Sequence, residues 1–491
     1  MTMLIPFDNS YARLPEAFHR PTPPTPVASP RLVAFNRPLA AELGLDAAAL
    51  AAAEGAAVFA GNVVAPGSEP IATAYAGHQF GQFVPQLGDG RAILLGEVVD
   101  HAGARRDIQL KGAGLTPFSR RGDGRAALGP VLREYLVSEA MAALGVPTTR
   151  ALAAATTGEA VLRERPLPGA VLTRVASSHI RVGTFQFFAA RGNVAALKDL
   201  VDHVIARHYP EAADRPDRAL AMYERVVARQ ASLVAQWMHV GFVHGVMNTD
   251  NCSIAGETID YGPCAFLDAY DPRAVFSSID QHGRYAFANQ PGIAQWNLAR
   301  LAECLLPLLS EDQDAAIAQV TLALSAFAPA FETARLDGYR RKLGLTGDRE
   351  DDGGLVQELL DRMAEGRADH TLTFRRLAAV AGGDAQAGPR DLFDEPALFD
   401  EWAVRYVARL GQEPGDGAAR RESMERVNPA IIPRNHNVEA ALQAAVEDDD
   451  FAPFEALAAA LAAPYARSAD DSVYAAPPPK DAGPYRTFCG T

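Results

Sequence analysis

Hydrophobic and polar positions change their rhythm once along this chain. From about Ala72 to Val175, apolar residues come in short runs separated by glycines and polar turns, the rhythm of strands. Arg91–Val99 (RAILLGEVV) and Asp107–Lys111 (DIQLK) read as two strands joined by the polar turn HAGAR. Glu159–Arg163 and Ala170–Val175 read as a second pair, with PLPG between them. One long helix interrupts the strands. Pro130 suits its first turn, and Gly145 with Pro147 ends it. After about Val182 the spacing becomes helical. In Arg218–His239, Leu220, Tyr223, Val227, Val234 and Trp237 recur at helical intervals. A loop-and-strand insert, Phe242–Leu267, follows. Further helices are predicted around Ile293–Leu309, Asp312–Phe327, Gly354–Ala364, Thr371–Val380, Ala397–Leu410, Val438–Val446 and Phe454–Leu461.

Ahead of this lie a proline-rich stretch, Thr22–Pro30, read as an extended arm, and the alanine-rich Ala47–Ala57, read as helix. Ser468–Thr491, rich in Pro, Asp and Ala, reads as a loosely ordered tail. No repeat stands at a solenoid period. The predicted fold class is α+β: a small strand-rich lobe before a larger helical lobe, consistent with a protein-kinase-like architecture. The boundaries are an arm and helical extension over 1–70, the strand-rich lobe over 71–177, the helical lobe over 178–467 and the tail over 468–491.

Composition narrows the classes. The chain has 491 residues, 48% hydrophobic, enough for a sizeable core and for two to four domains by length alone. A net charge of −14 argues against a sequence-independent nucleic-acid binder, which needs a basic surface against phosphates. It leaves room for a small basic pocket. The four cysteines, Cys252, Cys264, Cys304 and Cys489, show no CxxC pair and no zinc spacing. The first thirty or so residues lack a basic stretch followed by an apolar one, so no signal peptide is expected. No run of about 18 apolar residues stands out. The expected setting is the cytoplasm, with no membrane partner.

Several residues can carry chemistry. Gly88-Asp89-Gly90-Arg91 precedes a strand, and the same tetrapeptide recurs at Gly122-Asp123-Gly124-Arg125 before the long helix. Glycines let backbone N–H groups approach a phosphate, and arginine adds a guanidinium fork, although Gly-Asp-Gly also makes plain tight turns. No GxxxxGK[ST] occurs, which excludes a P-loop. Lys111 ends its strand on the face opposite Ile108 and Leu110. Glu134 and Glu139 on the following helix are both candidates to pair with it, and periodicity does not choose between them. Arg174 and Arg181 flank the junction between the lobes, where a guanidinium can reach a polyphosphate.

The strongest pattern is His244-Gly-Val-Met-Asn-Thr-Asp250-Asn251, with Asp260-Tyr261-Gly262 nine residues on. Kinase catalytic loops read H-R-D-x-x-x-x-N, with a downstream D-F-G aspartate on the metal. Asn251 and Asp260 would be the oxygen ligands of a magnesium ion. The kinase aspartate falls on Val246, which accepts no proton, and Asp250 is the one carboxylate within the loop. Two readings follow: a nucleotide-binding pseudokinase without turnover, or a rearranged site in which Asp250 is the general base or positions metal-bound water.

The chain resembles the selenoprotein O (YdiU-type) protein adenylyltransferases almost end to end. The strings that carry this are FDNSYARLPEAF (Phe7–Phe18), YAGHQFGQFVPQLGDGRA (Tyr75–Ala92), QLKGAGLTPFSRRGDGRA (Gln109–Ala126), SSHIRVGTFQ (Ser177–Gln186), FVHGVMNTDN (Phe242–Asn251), DYGPCAFLDAYDP (Asp260–Pro272) and NPAIIPRNHNVEAAL (Asn428–Leu442). The resemblance implies a pseudokinase fold that binds ATP end for end, exposing the α-phosphate. A protein Ser, Thr or Tyr hydroxyl attacks there, AMP is transferred and pyrophosphate leaves. By matching motif, Gly88, Gly90, Arg91, Lys111, Asp123, Gly124, Arg174, Arg181 and Asp260 line the ATP site. Asp250 is the catalytic base, Asn251 and Asp260 hold Mg²⁺ (or Mn²⁺), and Glu134 pairs with Lys111. Vertebrate members carry selenocysteine near the C-terminus, where this chain has Cys489.

Overall fold

A computed structural model describes residues 5–479, 483 and 485–487, and the structural statements below concern these residues. The strands are β1 (His19–Pro21), β2 (Arg31–Phe35), β3 (Ile71–Thr73), β4 (Gly77–Gln79), β5 (Gln82–Val84), β6 (Ala92–Val99), β7 (Arg105–Lys111), β8 (Ala126–Ala127), β9 (Arg150–Leu162), β10 (Pro166–Ala176), β11 (Phe242–Val243) and β12 (Ala265–Phe266). One antiparallel sheet runs in the order β1-β3-β6-β7-β10-β9-β2, with β8 beside β10. Its register places Lys111 opposite Ala92 on one side and Leu172 on the other. The lysine is therefore on a central strand. Ile108 and Leu110 of β7 are fully buried in a core with Ile93, Leu95 and Val171. Each such side chain contributes about 1.5–3 kcal/mol by leaving water.

The helices before and across the sheet are α1 (Arg37–Glu42), α2 (Ala47–Leu50), α3 (Ala53–Phe59) and α4 (Leu128–Ala143). The rest follow it: α5 (Val182–Ala189), α6 (Val194–His208), α7 (Arg218–Val240), α8 (Gln290–Leu305), α9 (Gln313–Ser325), α10 (Phe327–Lys342), α11 (Asp352–Glu365), α12 (His370–Ala381), α13 (Pro396–Leu410), α14 (Gly417–Glu425), α15 (Asn435–Glu447) and α16 (Ala452–Leu461). The architecture is mixed α and β, strands mostly before Ala176 and helices mostly after it. α7 buries Met222, Tyr223, Val226, Val227 and Val234 in the largest core. It stops at Gly241, whose left-handed φ of 72° suits glycine. The chain then turns directly into β11 and the His244–Asn251 loop, so the end of a rigid helix fixes where that loop begins.

The structure departs from the sequence reading at several places. β9 and β10 are far longer than the two short strands expected, and PLPG lies at the start of β10 rather than in the turn. Pro166 and Pro168 are tolerated because they begin a strand beside an irregular register. α10 was not expected. Its Pro329 occupies the first turn, where a missing N–H costs nothing. Ala47–Ala57 is broken into α2 and α3. The tail is not loose where it is described. Ala475 and Thr487 are buried, Thr487 Oγ1 donates to the Pro263 carbonyl at 2.8 Å, and the Tyr485 hydroxyl donates to Glu439 at 2.6 Å. Cys489 lies outside the described residues. Gln313–Lys342 is long and apolar enough, by length and composition, to cross a bilayer, contrary to expectation. It comprises α9 and α10, and Phe327, Phe331 and Tyr339 of α10 are buried in the main core.

Candidate functional site

Two buried constellations meet at the His244–Asn251 loop. The first gathers cations and carboxylates from four separate elements. Lys111, at the end of β7, places Nζ 2.6 Å from Glu134 Oε2 and 2.8 Å from Asp260 Oδ1. Arg174 on β10 donates through Nη2 to the same Asp260 oxygen at 2.9 Å and through Nε to Glu134 Oε1. The choice that periodicity left open falls to Glu134. Glu139 instead faces Arg150 and Asn36. Arg181, 4% exposed, caps the start of α5 and donates to the Asp250 backbone carbonyl at 2.8 Å. Its guanidinium lies over the Tyr75 ring at 4.7 Å, and its Nε is buried without a partner. It forms no salt bridge among the described residues.

Burial raises the Asp260 carboxyl, but Lys111 and Arg174 outweigh it and hold the group well below the usual range. The same balance, burial against Arg174 and Lys111, keeps Glu134 low. Both carboxylates are thus charged at neutral pH. Asp260 also has a φ of 70°, rare for a side-chain-bearing residue and a form of strain that clusters at functional sites.

Lys111, Glu134 and Asp260 of this cluster border a cavity of about 440 Å³. Arg91, Lys111, Val246, Asn251 and Asp260 lie on its wall, together with Pro130, Leu442 and Val446 from α4 and α15. Tail residues Arg486 and Thr487 also border it. Gly88, Gly90, Asp123, Gly124, Arg174, Arg181 and Asp250 stand off that wall. Gly88 has φ 70° and packs against the Phe118 ring, where a Cβ would sit 2.3 Å away. Asp123 pairs with Arg163 at 2.7 Å and accepts from the Arg125 N–H.

The second constellation surrounds Asp250. β4 and β5 form a hairpin whose two turn residues, Phe80 and Gly81, both have positive φ, 50° and 84°. This hairpin is clamped to the His244–Asn251 loop. The His78 N–H donates to Thr249 Oγ1 at 2.7 Å, the Phe80 N–H to Asn248 Oδ1 at 3.0 Å, and Gln79 Nε2 to Asp250 Oδ2 at 3.2 Å. Thr249 in turn donates to Gln186 Oε1 at 2.5 Å, and Gln186 Nε2 meets His78 Nδ1 at 2.7 Å. Asp250 Oδ1 is buried and has no protein partner. Burial pushes the Asp250 carboxyl up to about 6, against the pull of Arg181. His244 is a structural member of the loop: its Nε2–H donates to the Ile259 carbonyl at 3.0 Å, which ties the loop to the Asp260 segment.

The sequence reading did not single out Gln79, His78, Thr249 or Gln186 as working together. The available signal was weak, because Phe-Gly is not among the favoured hairpin turn pairs and the partners lie 171 positions apart. Asn251 Nδ2 donates to the Val246 carbonyl at 3.0 Å, which leaves its Oδ1 free, and Asp260 Oδ2 has no protein partner among the described residues. Two free oxygens at the cavity wall are suitable donors for a hard divalent cation. No group of three or more His, Cys, Asp or Glu side chains with metal-binding geometry occurs among the described residues.

Comparison with known proteins places the chain in a family. The family model described as protein adenylyltransferase SelO matches residues 2–462. A protein nucleotidyltransferase YdiU of Bradyrhizobium sp. (strain ORS 278) is 62% identical over 491 residues, covering 100% of both chains. Its namesake from Methylorubrum populi is 63% identical over 498 residues, and that from Rhodopseudomonas palustris (strain BisB5) 62% over 492, each again covering 100% of both chains.

Proposed function

The chain belongs to the SelO protein adenylyltransferase family, and from that premise we propose that it transfers AMP from ATP to protein hydroxyl groups of Ser, Thr or Tyr, with release of pyrophosphate. ATP and protein are its substrates. We read 71–177 and 178–467 as the two lobes of a protein-kinase-like fold, preceded by the 1–70 extension and followed by the 468–491 tail. The Lys111–Glu134 pair between sheet and crossing helix supports that reading.

One observation carries the proposal: Lys111 on the cavity wall and Arg174 behind that wall both pair with Asp260, and the charge of Arg181 also acts on that carboxylate. Such a cluster suits the most highly charged end of a triphosphate, the γ-phosphate. The α-phosphate then faces the catalytic loop. Arg91, with the backbone of Gly88, Gly90, Asp123 and Gly124, is assigned to the rest of the nucleotide. Asn251 and Asp260 would hold Mg²⁺, or Mn²⁺, which neutralises phosphate charge when bound. Asp250, whose Oδ1 is free, takes the proton of the acceptor hydroxyl. The hydroxyl oxygen bonds to the α-phosphorus as the bond to the bridging oxygen breaks, and pyrophosphate carries away that electron pair. Val246 leaves no carboxylate at the kinase position. A cytoplasmic setting fits Cys252, Cys264 and Cys304, which are free thiols with burial pushing each up to about 12. The absence of nucleic-acid or membrane partners is part of the same proposal.

The test is incubation with protein acceptors and ATP labelled at either the α- or the γ-phosphate. Label is expected to follow α. Stable transfer from γ alone makes the protein a kinase-like phosphotransferase. ATP binding with no transfer of either label makes it a nucleotide-binding scaffold.

A further inference from the structure

A second groove, of about 840 Å³, lies between the tip of the β4–β5 hairpin and the segment 279–293. One oxygen of the His244–Asn251 loop holds both sides of it. Asn248 Oδ1 accepts from the Phe80 N–H at 3.0 Å on one wall and from the Tyr285 hydroxyl at 2.7 Å on the other. Phe80 follows Gln79, whose amide holds Asp250, so the groove begins one residue from the side chain that contacts the proposed base. Phe80, Ile279 and Ile293 give it apolar lining, and Ile279 is 49% exposed.

Arg284 sets its charge. The guanidinium lies 4.9 Å from the Trp296 ring centre and 5.7 Å from that of Tyr285. Its Nε is buried without a partner, and it makes no salt bridge among the described residues. Asp280 also lines the groove, but its two oxygens accept the N–H groups of Arg284 and Tyr285 at 2.9 and 2.8 Å. These bonds hold its oxygens toward the backbone, and it forms no salt bridge with the Arg284 guanidinium. A guanidinium held by aromatic rings and left without a counter-ion is a ready partner for a carboxylate.

We infer that this groove seats an extended segment of the protein acceptor, and that Arg284 pairs with an Asp or Glu flanking the modified hydroxyl. The inference rests on the protein-acceptor reading above. Two degenerate peptide pools, with Ser, Thr and Tyr at the centre and either Glu or Lys at the flanks, provide the probe. Their binding is followed by fluorescence anisotropy, and AMP incorporation from α-labelled ATP is followed in parallel. The wild-type protein should bind the Glu pool ~10-fold more tightly than the Lys pool, Arg284→Gln should abolish the difference and Arg284→Glu should reverse it, with ATP affinity unchanged throughout. Arg284→Gln keeps most of the bulk beside Trp296 and remains informative where charge reversal perturbs folding. Equal binding of both pools by the wild-type protein, or a Glu preference that persists in folded Arg284 variants, overturns the inference. Lack of AMP incorporation alongside an intact Glu preference would instead count against the transfer chemistry and leave the groove supported.

Discussion

Gly77→Ala is the sharpest perturbation of the hairpin clamp. Gly77 begins β4 with ordinary strand torsions, so alanine meets no backbone penalty there. Its new methyl would stand 2.5 Å from Asp250 Oδ1 and 3.0 Å from Cγ. Ordinary contact begins near 3.4 Å, so the carboxylate must retreat by about 0.9 Å. It cannot do so freely, because Asp250 is buried and Gln79 holds its Oδ2. A displacement of about 1 Å at a reacting group costs ~10²-fold in rate. Overpacking itself costs about 1–3 kcal/mol of stability. The assay is AMP incorporation from α-labelled ATP at saturating acceptor, with ATP affinity measured separately. We expect kcat to fall ~10²-fold with ATP affinity unchanged. A folded variant with kcat within about threefold of wild type would refute the reasoning, because a base that tolerates such a shift is not positioned by this hairpin.

Other outcomes follow from the same geometry. Gln79→Ala frees one oxygen of Asp250 and should lower kcat ~10-fold while ATP affinity holds, as measured by the same pair of assays. Asp260→Ala removes a proposed metal donor and the shared partner of Lys111 and Arg174, and should lower AMP transfer by ~10²-fold or more at any magnesium concentration tested. Lys111→Ala should weaken ATP binding ~10-fold, read by calorimetry, with near-wild-type affinity contradicting its place at the phosphates. Burial drives the His208 imidazole down to about 3. The unfolded chain binds a proton there below about pH 6.5 and the folded chain does not, so stability is lost as pH falls through 6.5. His208→Gln should therefore shrink the stability difference between pH 7.5 and 5.5 by about 1.4 kcal/mol, read by urea unfolding at the two pH values.

The sequence made some of this legible and not the rest, for physical reasons. The apolar run of β6, the alternation of β7 and the helical stripe of α7 are local patterns, so the Lys111 strand and the helix ahead of the His244–Asn251 loop could be read directly. Glu134 against Glu139 could not be decided by periodicity, since a helical stripe names a face and not the strand opposite it. The order β7-β10-β9 settles that geometry, with Arg174 on β10 meeting Glu134 and Arg150 on β9 meeting Glu139. α10 was missed because Pro329 reads as a breaker unless its first-turn position is known. The clamp of Gln79 on Asp250 joins residues 171 apart through a two-residue turn of unusual composition. The packed tail was misread because Pro- and Ala-rich composition does not reveal Tyr485 docked between Arg133 and Glu439.

The most direct measurement is a crystal structure with a non-hydrolysable ATP analogue and Mg²⁺. The account predicts the γ-phosphate within hydrogen-bonding distance of Lys111, Arg174 and Arg181, with the α-phosphate toward Asp250. A γ-phosphate pointing out to solvent, with the adenine against those three cations, would contradict it.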